Sequence, residues 1–220
     1  MTDYQPTDRR PLASRKIPCW QKTAAFLAAR RVSPNAISVA GMVVGIAAGL
    51  CLAFTALSGP WWRLCFLAAA AGIQLRLLAN MLDGMVAVAS NRASAMGELY
   101  NEIPDRVSDA AILIGAGYAA GGDVVLGFTA TCLAIMTAYI RAVGKSCGAK
   151  DLFVGPMAKP HRMFTVTVAC LYIAATPVAW QPTWEGRGVM AGALLLIAAG
   201  ACVACVRRLG RISRHLRGRA

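Results

Sequence analysis

The chain has 220 residues, 57% of them hydrophobic, a formal net charge of +13 and a mean hydropathy of +0.54. The length suits one domain, and the hydropathy excludes an ordinary soluble domain in favour of a helical membrane protein. The charge does not signal nucleic-acid binding, because the basic residues are dealt out between apolar runs and form no aromatic-rich basic domain.

The segment IPCWQKTAAFLAARR, residues 17–31, mixes apolar and basic residues at helical spacing. It predicts a helix lying along the inner membrane surface, with Trp20 and Phe26 in the interface and its bases toward anionic lipid. Apolar runs then predict spans near 36–58, 61–83, 105–121, 123–143, 162–180 and 187–206. Each has roughly the 17–25 residues that a hydrocarbon core requires. Strands of alternating polarity are absent, so helices rather than a barrel satisfy the backbone. The predicted fold is an all-α integral membrane protein with six transmembrane helices and an N-terminal juxtamembrane amphipathic segment. Residues 1–34 form a basic cytoplasmic segment, 35–207 the six-helix domain and 208–220 a basic cytoplasmic tail. The first span starts too late and runs too long for a cleavable signal peptide.

In this arrangement 20 of the 23 basic residues fall on one side of the membrane. The other side has only Arg63 and Arg187, and Arg76 lies within a span. Positive loops remain cytoplasmic, so both termini are expected there. The eight cysteines fall mostly within or beside apolar spans and read as small apolar residues. Gly41-x3-Gly45 and Gly45-x3-Gly49 are small-residue patterns that allow close helix packing, and Gly115 with Gly117 is read the same way.

Residues 80–109, NMLDGMVAVASNRASAMGELYNEIPDRVSD, hold five of the ten carboxylates: Asp83, Glu98, Glu102, Asp105 and Asp109. At the helical repeat, Asp83, Gly84 and Ala87 lie within about 60° of Asn80 at the cytoplasmic end of the second span. Gly97, Asn101, Asp105 and Asp109 follow at steps of four on the next helix, although Pro104 is expected to kink or start that helix just before Asp105. Two polar stripes therefore meet at one depth. An intramembrane carboxylate is costly unless paired or solvated, and hard divalent cations take oxygen ligands. The plainer reading is a hydrogen-bonded network between helices, with Arg76, one turn before Asn80, neutralising acid.

These residues resemble a known family. The CDP-alcohol phosphotransferases carry D-x-x-D-G-x-x-A-R-x8-G-x3-D-x3-D across their second and third transmembrane helices. Here the sequence reads Asn80-x-x-Asp83-Gly84-x-x-Ala87-Val88-x8-Gly97-x3-Asn101-x3-Asp105. The spacing matches throughout, with Asn at the first and third aspartates and Val88 at the arginine. Val-Ser-Pro-Asn-Ala-Ile-Ser, residues 32–38, also looks like the family's first-helix start.

The resemblance implies transfer of a phosphatidyl or other substituted phosphate group from a CDP-alcohol, often CDP-diacylglycerol, to a hydroxyl acceptor with release of CMP, in phospholipid biosynthesis. It implies Mg²⁺ or Mn²⁺, one or two ions, held by Asp83, Asp105, Asn80 and Asn101, with Asp105 as the general base. Gly84, Ala87, Gly97 and Arg76 fall to the donor, and Arg76 offers a charge in place of one cation. It implies the lipid bilayer of a bacterial inner membrane as the setting, and leaves homodimerisation open.

Between the fourth and fifth spans lie Arg141, Lys145, Lys150, Lys159, His161 and Arg162. They read either as positive-inside asymmetry or as a site for a phosphorylated acceptor or the donor's pyrophosphate. Lys159 and Arg162 are the foremost candidates for that site, with Arg141 and Lys145 beside them. Two other functions stay open: a non-catalytic relative that binds lipid or nucleotide, and a small transporter.

Overall fold

A computed structural model describes residues 17–90, 95–149 and 155–217, apart from the side chains of residues 95, 96 and 98. Residues 1–16 with their basic side chains, and Arg92, Lys150 and Arg219, lie outside the described residues. Helices α1 (Pro18–Ala29), α2 (Pro34–Phe54), α3 (Trp62–Ala89), α4 (Ala95–Tyr118), α5 (Val124–Ser146), α6 (Lys159–Ala175) and α7 (Val189–Arg217) follow in order. Single 3-10 turns at Gly59–Trp61 and Val178–Trp180 precede α3 and follow α6. Among the described residues there is no strand, only an isolated bridge between Trp184 and Arg187.

The chain is an all-α integral membrane protein. Helices α2, α3 (with its leading turn), α5 and α7 are long and apolar enough to cross a bilayer. Helix α4 is not in that set, since it carries Glu102, Asp105, Arg106 and Asp109, and α6 has only 17 residues. Two predicted boundaries are corrected. Helix α4 begins at Ala95 and runs through Pro104, which neither starts nor ends it. Proline removes one backbone donor and crowds the preceding turn, a cost that α4 carries within its length. Helix α7 continues to Arg217 because its last turns are amphipathic: Arg208 and Ile212 are buried, and Arg208 donates to the Thr137 carbonyl of α5.

Helix α2 is the spine of the motif end. It packs along both α3 and α4, which touch one another little. Its glycines explain why. A methyl group at Gly49 would stand 2.3 Å from the Ala111 carbonyl oxygen, and one at Gly115 would stand 2.1 Å from the Gly49 carbonyl oxygen. The small-residue pattern thus brings α2 and α4 together backbone to backbone. Pro34 at the first turn of α2, after Ser33, matches the expected helix start. Large buried side chains, including Phe66, Ile73, Ile112, Met163, Leu194 and Ile197, fill the bundle interior.

Helix α1 forms where the amphipathic segment predicts it, but Trp20 does not face lipid alone. Trp20 and Leu27 pack with buried Ala24 against Leu82 and Val86 of α3, while Phe26 stays exposed beneath the Arg30 guanidinium. All eight cysteines are free. At the opposite end of the bundle Asp123 caps α5, accepting from the Leu126 N–H at 2.9 Å, and pairs with Arg187 at 2.6 Å.

Candidate functional site

The site lies at the ends of α2, α3 and α4 and at the start of α6. Helix α3 presents Arg76, Asn80 and Asp83 on one face, as the helical repeat requires. Asp83 is buried; it accepts from Ser38 Oγ of α2 at 2.6 Å and from the Gly84 N–H at 2.5 Å. Asp105 of α4 is the centre of the remaining contacts. Its Oδ1 accepts from Asn80 Nδ2 and from the Arg76 guanidinium, and Lys159 Nζ stands 2.6 Å away. All three donors converge on that one oxygen, and no donor among the described residues reaches Oδ2.

Arg76 is 1% exposed, the largest fully buried side chain. Its Nε donates to Ser108 Oγ at 2.8 Å, while its Nη1 is buried without a partner. Helix α2 makes the space. A methyl group at Gly41 would approach Arg76 Nη1 to 3.2 Å, and one at Gly45 would approach Arg76 Cδ to 3.4 Å. The network in which Arg76 neutralises acid is therefore present, and the glycines of α2 are its walls.

Helix α6 delivers two cations. Arg162 pairs with Asp109 Oδ2 at 3.1 Å and donates to the Met157 carbonyl at 2.9 Å, fixing the turn into α6. Lys159 lies between the two acids, 3.8 Å from Asp109 Oδ1 and 2.6 Å from Asp105. Removing one member of such a buried set would strand its partner, at roughly 3–5 kcal/mol.

The structure joins Arg76, Asn80, Asp105 and Lys159 directly, with Asp83 beside them, close enough for its charge to act on Asp105. Gly84 and Ala87 continue the α3 face, half-buried, and Gly97 and Asn101 occupy the first turns of α4. Asn101 Oδ1 is buried with no hydrogen bond. Arg141 sits apart, bound with Arg106 to Glu102, and Lys145 is exposed further along α5. His161 is exposed as well. Among the described residues no three His, Cys, Asp or Glu side chains gather as a metal centre. Sequence reading took Ser38 only as the end of the 32–38 motif, missed Ser108 beside the acids of α4, and gave no role to Asp109, although it stood on the step-of-four stripe.

No family model matches the chain. Phosphatidylinositol phosphate synthase of Streptomyces avermitilis is 27% identical over 198 residues, covering 87% of this chain and 77% of the relative. The inner membrane protein YnbA of Escherichia coli is 24% identical over 155 residues, covering 70% of this chain and 75% of YnbA. Among solved structures, phosphatidylinositol phosphate synthase of Mycobacterium tuberculosis with manganese and citrate superposes at a TM-score of 0.70, with 20% identity and 88% of each chain covered. The same enzyme with CDP-DAG bound superposes at 0.69, with 19% identity, covering 89% of this chain and 94% of that one. These likenesses show the fold, and the motif from Asn80 to Asp105 resembles that of the CDP-alcohol phosphotransferases.

Proposed function

We propose that the chain is a membrane-embedded transferase that moves a phosphatidyl group from a CDP-alcohol, CDP-diacylglycerol in the first instance, to a hydroxyl acceptor and releases CMP. The observation that carries this reading is the asymmetry of Asp105. One carboxylate oxygen is fixed by Asn80, Arg76 and Lys159, and the other is left for a substrate. The manganese and CDP-DAG of the Mycobacterium tuberculosis enzyme support the same chemistry here.

In this reading Asp105 Oδ2 accepts the proton of the acceptor hydroxyl, which requires an approach of about 2.6–3.2 Å or one bridging water. The acceptor oxygen bonds to the β-phosphorus of the donor, the bond from that phosphorus to the CMP oxygen breaks, and CMP leaves with the electron pair. Arg76 Nη1 and Lys159 offer hydrogen-bonding cations to the pyrophosphate oxygens, where charge gathers. Arg162 and Asp109 position Lys159. Gly84 and Gly97 present backbone without side chains to the nucleotide.

The residues fit a hard divalent cation, because Asn101 Oδ1 is a buried acceptor with nothing to accept from. Asp83, Asn101 and the carbonyl of Asn80 would hold it. When bound, Mg²⁺ or Mn²⁺ offsets charge on the pyrophosphate. All six long helices, α2 to α7, span the membrane in this reading, and both termini face the cytoplasm of a bacterial cell. The test is CMP release by purified protein from labelled CDP-diacylglycerol, with metal and a panel of alcohols. Metal-dependent CMP release with one alcohol supports the reading, and nucleotide retention without turnover removes it.

A further inference from the structure

We infer that the Arg76 guanidinium is a resident cation of the site, that it keeps Asp105 out of metal coordination, and that the chain consequently takes a single divalent ion. The inference rests on the reading above and goes further, to the metal count. Three buried or near-buried carboxylates, Asp83, Asp105 and Asp109, face three cations, Arg76, Lys159 and Arg162. That set is neutral as it stands. Glu102, held between Arg106 and Arg141, adds no spare negative charge. A pyrophosphate diester brings two negative charges into this neutral set, and one divalent cation balances them. A second would leave two uncompensated positive charges in a buried place, which low-dielectric surroundings penalise heavily.

Geometry agrees with the charge count. Asp105 Oδ1 already accepts from Arg76 and Asn80 and is paired with Lys159. A metal ion at that oxygen would have to displace a guanidinium seated between α2 glycines and tied to Ser108, and the other oxygen, Oδ2, is the one that takes the acceptor's proton in the reaction above. Asn80 and Asn101 offer carbonyl oxygens without charge, so Asp83 is the one carboxylate left to anchor an ion. Arg76 Nη1, buried and unpartnered, is the donor that the bound diphosphate would complete.

The experiment is a Mn²⁺ titration of the full chain in lipid nanodiscs with saturating CDP-diacylglycerol and no acceptor alcohol, with free and bound ion counted by electron paramagnetic resonance. One Mn²⁺ per chain is expected, lost in Asp83→Asn and retained in Asp105→Asn. Two Mn²⁺ per chain, a spin-coupled pair, no bound Mn²⁺, or loss of the ion in Asp105→Asn overturns the inference. The triple variant Arg76→Met, Asn80→Asp, Asn101→Asp is expected to gain a second ion. Should that variant fail to fold, the wild-type and single-variant counts decide alone; should it fold and still bind one, the role of Arg76 is refuted. One bound Mn²⁺ without CMP release would remove the proposed reaction and leave this inference standing, whereas CMP release with two bound ions would do the reverse.

Discussion

Ser38 donates its hydroxyl to Asp83 Oδ2 at 2.6 Å, joining the first long helix to the motif aspartate 45 residues later. Hydrogen bonds to charged groups contribute about 1.5–3 kcal/mol. Ser38→Ala should lower stability by about that amount, measured by thermal unfolding in nanodiscs, and should reduce CMP release. Ser38→Thr, which keeps the hydroxyl, should restore most of both. An alanine variant as stable as the parent would show that Asp83 does not depend on α2.

Asp105→Asn preserves the oxygen that Arg76, Asn80 and Lys159 use and removes proton acceptance at the other. General-base catalysis contributes roughly 10²–10⁴-fold, so CMP release should fall within that range while the protein still inserts. Release at the parental rate would remove the base assignment.

The packing of α2 on α4 can be tested apart from chemistry. Gly49→Ala places a methyl group where the Ala111 carbonyl already stands, 2.3 Å away. Overpacking of this kind costs about 1–3 kcal/mol. Gly210→Ala, on α7, meets nothing within 4 Å and lies inside a helix, so it should be neutral or stabilise by up to about 1 kcal/mol. Equal unfolding temperatures for the two variants would contradict the close approach.

At the opposite end, the Arg187 hydrogen bond, helped by the Leu126 N–H, holds the Asp123 carboxyl below the usual carboxylate range. A lowered folded-state value means that the contribution is complete above the unfolded value of about 3.9 and is lost as pH falls through the lower, folded one. Hydrogen exchange across residues 181–188, corrected for intrinsic rates, should therefore stay constant from neutral pH to about 4 and quicken below it. Asp123→Asn keeps a helix cap without a titrating charge, and its exchange should lose that acid step. An unchanged acid step in the variant would assign it to another group.

Much of this was legible in the sequence because hydropathy and spacing are local. Each of the six apolar runs lies on one of the helices α2–α7, and the interval from Asn80 to Asp105 selected the two helices that carry the polar face. Local signals failed where a partner comes from far away. The bonds from Ser38 to Asp83 and from Arg76 to Ser108 join residues 45 and 32 positions apart, and no spacing rule marks them. Pro104 and the acids around it read as a boundary, yet α4 continues through them because cations from α3 and α6 neutralise those acids. Trp20 read as an interfacial anchor, and its packing on α3 was not legible from its own segment.

The pairing of Arg76 with Asp105 also constrains how the chain is made. Helix α3 leaves the ribosome with a guanidinium near its middle, and its counter-charge lies 29 residues later, on α4. An unpaired charge at the centre of a spanning helix opposes its release into lipid. Entry of α3 together with α4, with Arg76 already beside Asp105, would relieve that cost. The pairing thus bears on insertion as well as on the charge of the site.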